Sequence, residues 1–153
     1  MTIEVGDVLF LDTNVLLTAT DESRLQHSAA RRAISEANMN GIHFGLSGQI
    51  LREYLTVATR PIAANGLGLS VGDALENCAQ FSKRALFYDE TEEVAFRLRE
   101  LIAVSGMHGK QIHDVNVVAT MLTHGLRKLL TANVKDFESF TDIEVVTLDA
   151  FTT

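Results

Sequence analysis

The 153-residue chain has a single cysteine, Cys78, and a single proline, Pro61. One thiol excludes an intrachain disulfide framework and a cysteine-ligated zinc site, so the fold must rest on its apolar core. Cys78 lies in the helical pattern Ala74-Leu75-Glu76-Asn77-Cys78 and reads as a small core or near-surface residue, not a nucleophile. Long apolar runs are missing too: no stretch approaches the roughly 20 residues that a membrane-spanning helix requires. The first residues carry neither a basic region nor a long apolar segment. No secretory signal is therefore expected, and the expected setting is the cytoplasm, with no membrane partner. Basic residues are scarce. There are 13 Lys and Arg against 20 Asp and Glu, a formal net charge of −7, which argues against a protein that coats nucleic acid through a broad basic surface. It does not argue against an enzyme acting on nucleic acid. A carboxylate site for a divalent ion contributes several of those negative charges itself, and the ion reverses the local field.

What remains is an ordinary globular composition, 46% hydrophobic and 22% charged. The length fits one domain, residues 1–153, able to bury roughly two thirds of the surface its unfolded chain exposes. No internal repeat or low-complexity segment interrupts it. Val8–Leu11 reads as a short buried strand, and a helix begins at Asn14 and runs to Ala19. Residues 24–39 have helical periodicity, with Leu25, Ala29, Ala33, Ile34 and Ala37 on one side and Gly41 as the stop. Ile42 to Leu46 alternates as a second strand. Ser47 is placed to cap a helix through Ile50, Leu51, Tyr54, Leu55 and Ala58, which Pro61 ends. The segment RPIAANGLGLS (60–70) is irregular, and a helix restarts at Ser70 or Val71 and runs to about Arg84. Residues 85–88 form a weak strand. Residues 90–105 form an amphipathic helix with a stripe of Val94, Ala95, Leu98, Leu101 and Ile102, and residues 111–124 another, with Gly125 as its C-terminal stop. Residues 128–131 and 143–146 are strands, separated by a short turn or helix at 135–137. Short apolar strands alternating with helices define an α/β class with a mainly parallel sheet.

In such sheets ligands bind beyond the carboxyl ends of the strands, where the strand order switches. The run Val8-Leu9-Phe10-Leu11 ends in Asp12-Thr13-Asn14, so this strand aims a carboxylate at that rim. Glu53, Asp114 and Asp136 fall near helix starts or strand ends that should flank the same rim. Hard divalent cations take oxygen ligands, and acids brought together need a cation or protons to neutralise them. Converged, Asp12, Glu53 and Asp114, with Asp136 or Asn133, would suffice for metal-dependent hydrolysis of a phosphodiester. Unconverged, they are helix caps and surface charges.

The contexts FLDTNVLL, LREYLTVATRP, IHDVNVVATM and LLTANVKDF occur in this order. Together they resemble a PIN domain, and more narrowly the VapC-type toxins of bacterial toxin–antitoxin pairs. The likeness covers nearly the whole chain, the RPIAANGLGLS segment included. It implies a three-layer α/β/α sandwich around a mainly parallel sheet of about five strands. The activity it implies is an endoribonuclease dependent on Mg²⁺ or Mn²⁺, inhibited by a cognate antitoxin protein and expected as a homodimer. Asp12 matches the family's first acid, Glu53 the helical glutamate and Asp114 the third acid, and these three are the implied metal ligands. The fourth acid usually follows the TR or TA pair directly, and there this chain has Asn133, with Asp136 one helical turn further on. Asp136 joins the catalytic set on that basis, and Asn133 is left a supporting role.

Around the acids, Asn14 is expected to orient Asp12 through its amide. Thr13 and Thr131 have hydroxyls suited to hydrogen-bonding a neighbouring acid. Arg52 or Arg60 would be the partner of Glu53 if that residue were only a paired surface charge. His113, Arg60, Lys110 and Lys135 are candidates for substrate contact, though each is more often a solvated or packing residue. Phe10, Phe44 and Phe137 read as core. On the residues alone two further readings stay open. One is a non-catalytic RNA-binding or protein-interaction module on the same fold. The other is a metal-dependent phosphatase or nuclease acting on other phosphates; against a haloacid-dehalogenase-like phosphatase stands Asn14, where such an enzyme has its second aspartate.

Overall fold

The strand at Val8–Leu11 is apolar on both faces because both faces are covered: Leu9, Phe10 and Leu11 are at most 2% exposed. The structure, a computed structural model, describes residues 3–151. Its strands are β1 (Val8–Leu11), β2 (His43–Leu46), β3 (Ala85–Phe87), β4 (Lys128–Leu130) and β5 (Glu144–Val146). They form one all-parallel sheet of 5 strands in the order β3-β2-β1-β4-β5. The helices are α1 (Thr13–Thr20), α2 (His27–Glu36), α3 (Gly48–Thr59), α4 (Val71–Lys83), α5 (Glu92–Ser105), α6 (Gln111–Thr123) and the short α7 (Val134–Phe137). Helix α1 packs on α2 and α3, α3 on α4, and α5 on α6. Right-handed crossovers put α1–α4 on one face of the sheet and α5–α6 on the other. This is the expected three-layer sandwich.

Strand order explains why one rim matters. From β1 the chain steps outward to β2 and β3, then returns across the sheet to β4 and on to β5. Connections therefore leave β1 and β4 in opposite directions and open a crevice between their carboxyl ends. The register pairs Leu11 with Leu130, so Asp12 and Thr131 emerge side by side. At the other rim Lys128 Nζ contacts Asp7 Oδ2 at 2.6 Å and ties the start of β4 to β1.

Several boundaries differ from the sequence reading. Helix α2 is shorter than 24–39, because Asp21 Oδ1 accepts hydrogen bonds from Ser23 N (3.0 Å) and Ser23 Oγ (2.6 Å) and holds this stretch in a turn. Leu25 precedes the helix and is fully exposed, not part of the core stripe. Residues Asn38–Asn40 form a 3-10 turn ending at Gly41, whose φ of 73° is the left-handed conformation that favours glycine. Phe10, Phe44 and Phe137 are buried as expected. On α5 only Val94 is buried; Leu98, Leu101 and Ile102 are half-covered and Ala95 is exposed. That stripe belongs to an outer helix that covers its neighbour α6, not to the central core.

The RPIAANGLGLS segment is ordered. Arg60 takes an extended ψ of 142°, as the residue before a proline must, and α3 stops. The chain then folds back so that Leu67 N donates to Val57 O (3.0 Å) and Leu69 N to Ala58 O (2.9 Å). Carbonyls left open at the helix end are thereby satisfied. Gly66 makes the return possible, since a Cβ there would overlap the Arg60 carbonyl.

Tyr54 is the largest fully buried side chain, and its hydroxyl links three helices. Thr20 Oγ1 donates to Leu16 O (2.9 Å), so the Tyr54 hydroxyl donates to Thr20 Oγ1 (2.8 Å) and accepts from Asn77 Nδ2 (3.0 Å). Tyr54→Phe leaves Asn77 without its acceptor and Thr20 without its donor. It is expected to lower stability by about 1–3 kcal/mol, measured by urea unfolding.

Candidate functional site

Asp12 leaves β1 in extended conformation and serves as the N-cap of α1. Asp12 is buried, with 7% of the residue exposed, and its carboxylate accepts hydrogen bonds from three neighbours. Oδ1 accepts from Thr13 N at 2.9 Å; Oδ2 accepts from Thr131 Oγ1 at 2.8 Å and from Asn14 Nδ2 at 3.1 Å. Asn14 Oδ1 in turn accepts from Ala132 N (3.1 Å), and Thr131 Oγ1 accepts from Asn133 N (3.0 Å). Helix α1 and the segment after β4 are thus laced together around one acid. Asp12 is thus a cap residue, and the cap position holds its carboxylate at the rim of the sheet.

Glu53 does not pair with Arg52 or Arg60, both of which are exposed. Its Oε2 accepts from Thr13 Oγ1 at 2.8 Å and its Oε1 from Gln49 Nε2 at 2.9 Å. Asp114 lies in the first turn of α6, half-buried, and its side chain has no hydrogen-bond donor among the described residues. Asp136 is exposed in the first turn of α7.

Asp12 and Asp114 feel the charges of the neighbouring acids. Burial pushes the Asp12 carboxyl from an ordinary 3.8 up to about 6; hydrogen bonds from Thr131 and Thr13 oppose this, and the charges of Glu53 and Asp136 add to it. Asp114 is pushed up to about 7, first by burial and then by the charges of Asp12, Asp136 and Glu53. Among the described residues the ion pairs involve Asp21, Glu36 and Asp7, and none neutralises these four acids. The donor set is all oxygen, negative and without a paired cation, which is what a hard divalent ion requires. Among the described residues no three such side chains already stand at metal-holding distance. The acids share one electrostatic neighbourhood without a closed cage.

Asn133 behaves differently. It is exposed at the N-cap of α7, and its side chain makes no hydrogen bond among the described residues. The charge of Asp136 acts on Asp12 and Asp114. His113, Arg60, Lys110 and Lys135 are exposed. His113 contributes its backbone carbonyl, which accepts from Gln49 Nε2 at 2.7 Å.

Three residues that the sequence reading did not single out hold Glu53 in place. Gln49, 2% exposed, receives at Oε1 a hydrogen bond from Asn116 Nδ2 at 2.7 Å. Asn116 also donates to Glu90 Oε1 (2.7 Å), and Glu90 Oε2 accepts from Gln49 N (3.1 Å). Glu90 is therefore the acceptor at the α3 N-terminus, where a carboxylate is favoured by the helix dipole. Ser47, expected to cap this helix, occupies the N-cap position but makes no cap bond, and its buried hydroxyl has no partner among the described residues. One signal for Gln49 was available: it lies four residues before Glu53, on the face that buries Ile50 and Tyr54.

Residues 9–143 match the PIN domain family, and the chain belongs to it. No curated protein matches the chain. Solved structures share its fold. VapC20 of Mycobacterium tuberculosis, described as a sarcin-ricin loop cleaving toxin, is 15% identical over 86% of this chain and 95% of its own, with a TM-score of 0.67. A chain of DNA-bound VapBC from Salmonella typhimurium is 18% identical over 93% and 98%, with a TM-score of 0.66. A chain of VapBC2 from Rickettsia felis, bound to a DNA fragment from its promoter, is 15% identical over 92% and 98%, with a TM-score of 0.66. Among the described residues no helix is long and apolar enough to cross a membrane.

In metal-free protein Asp12 and Asp114 hold a proton more tightly when folded than when unfolded. Stability should therefore fall as pH rises from about 4, where the unfolded aspartates ionise, to about 7, where the folded ones do. Asp12 alone accounts for a loss of about 3 kcal/mol over that interval. Asp7 and Asp21, whose pKa values are lowered, act below this window. Urea unfolding in EDTA at about pH 4.5 and about pH 7.5 measures the difference, and a flat or rising stability would contradict it.

Proposed function

We propose that the protein is a metal-dependent endoribonuclease and the toxin of a toxin–antitoxin pair. One observation carries the reading: at the switch point of a PIN-domain sheet the carboxyls of Asp12 and Asp114 are pushed up by burial and by the charges of neighbouring acids from separate segments, and among the described residues no cation pairs with Asp12, Glu53, Asp114 or Asp136. A bound Mg²⁺ or Mn²⁺ would supply the missing charge, clamp a phosphate oxygen and make a water nucleophilic. Asp12, Asp114 and Glu53 would hold it, with Asp136 in the fourth corner. Asn14 and Thr131 fix the Asp12 carboxylate, and Thr13 and Gln49 fix that of Glu53. The substrate is a phosphodiester of single-stranded or looped RNA. A cognate antitoxin and a second copy of the chain are its proposed protein partners, in line with the toxin–antitoxin complexes that share its fold.

Cleavage of RNA is expected with Mg²⁺ or Mn²⁺ and not with EDTA, and small phosphomonoesters should remain intact. Asp12→Asn should abolish cleavage with the fold preserved by circular dichroism. Metal-dependent cleavage retained by that variant would overturn the assignment. The fourth corner has its own test. Asp136→Asn should reduce the cleavage rate by about 100-fold, within the range that removal of a general acid or base produces, whereas Asn133→Ala should leave the rate within a few-fold of wild type.

A further inference from the structure

A cavity of about 580 Å³ opens at the far end of the helices from the acids. Thr20, at the end of α1, lines it, whereas Thr13, at the start of α1, lies beside Asp12. The two sites are separated by the length of that helix, about 12 Å. The charged residues lining the cavity are Arg31, Arg32 and Glu36 of α2 and Arg84, directly after α4, so basic groups outnumber the acid three to one. A concentration of guanidinium groups is notable in a chain with net charge −7 and 13 basic residues. Arg32 has a loose pairing with Glu36 at 3.8 Å. Among the described residues Arg31 and Arg84 have no ion pair and their guanidinium groups no hydrogen bond.

We propose that this cavity binds a phosphate-bearing ligand of nucleotide size. Planar guanidinium groups match phosphate oxygens in pairs, and two of the three charges here are left uncompensated by the protein. The volume lies in the range of roughly 300–1,000 Å³ usual for small-molecule sites. It accommodates one nucleotide or a short polyphosphate. Beside the arginines stand Thr20 and Asn77, whose polar atoms are fixed by the buried Tyr54 hydroxyl. They give the cavity an ordered hydrogen-bonding wall next to its charges. Neither the acids nor a divalent ion takes part.

Calorimetric titration of the whole chain in EDTA tests this, with adenosine diphosphate, inorganic pyrophosphate, adenosine and a short glutamate peptide as probes. Adenosine diphosphate or pyrophosphate should saturate one site, and adenosine should not bind at the same concentrations. Tighter binding of the nucleotide assigns a nucleotide ligand, and equal binding assigns the polyphosphate moiety alone. R31A combined with R84A should weaken binding at least tenfold. Both side chains are exposed, so the fold should survive, as circular dichroism can check. Asp12→Asn should leave binding unchanged. The proposal fails if neither phosphate saturates, if the double variant binds as well as wild type, or if the glutamate peptide binds more tightly than either phosphate.

Discussion

The molecule buries a carboxylate at the mouth of its sheet, and much of the surrounding structure keeps it there. Asp12 is desolvated and faces other negative charges, both of which oppose its ionised form. The backbone N–H of Thr13, the hydroxyl of Thr131 and the amide of Asn14 oppose that penalty. These groups come from the start of α1 and the end of β4, the two elements that diverge at the crevice. The hydrogen bonds that support the charge therefore also define the site's walls. Asp114 receives no such support among the described residues, and burial and its acidic neighbours favour its protonated form.

Much of this was legible in the sequence because it rests on local signals. A continuous apolar strand ending in Asp12-Thr13-Asn14 gives both the buried strand and its polar terminus, and a parallel sheet puts the ends of β1 and β4 at the same edge, though their register is seen only in the structure. The roles of Asn14 and Thr131 were visible as chemistry next to an acid. What escaped depends on long-range partners. Ser47 has the residue type and position of a cap, yet Glu90, 43 positions later, accepts the α3 bond through Gln49 N instead. Local propensity cannot anticipate a competitor supplied by a different crossover. Leu25 fails for the converse reason: its apolar character fits the stripe, but the Asp21 turn delays the helix beyond it.

The fourth corner shows the limit of position-by-position matching. Asn133 occupies the expected place in sequence, but it is the cap residue of α7 and is exposed. One turn of helix carries Asp136 back toward the other acids, whose pKa values register its charge.

Glu90 has a consequence beyond capping. It lies just past β3, a three-residue strand at the edge of the sheet whose Leu86 and Phe87 are about half exposed. Edge elements of this kind open locally at free energies well below that of global unfolding. When β3 and the turn after it detach, Gln49 loses the acceptor for its backbone and Asn116 loses a partner, and the α3 turn that carries Glu53 loosens. The acid constellation is thus wired to one of the least protected parts of the sheet. On warming, the acid cluster is expected to disorganise before the core around Leu9, Phe10 and Tyr54 melts.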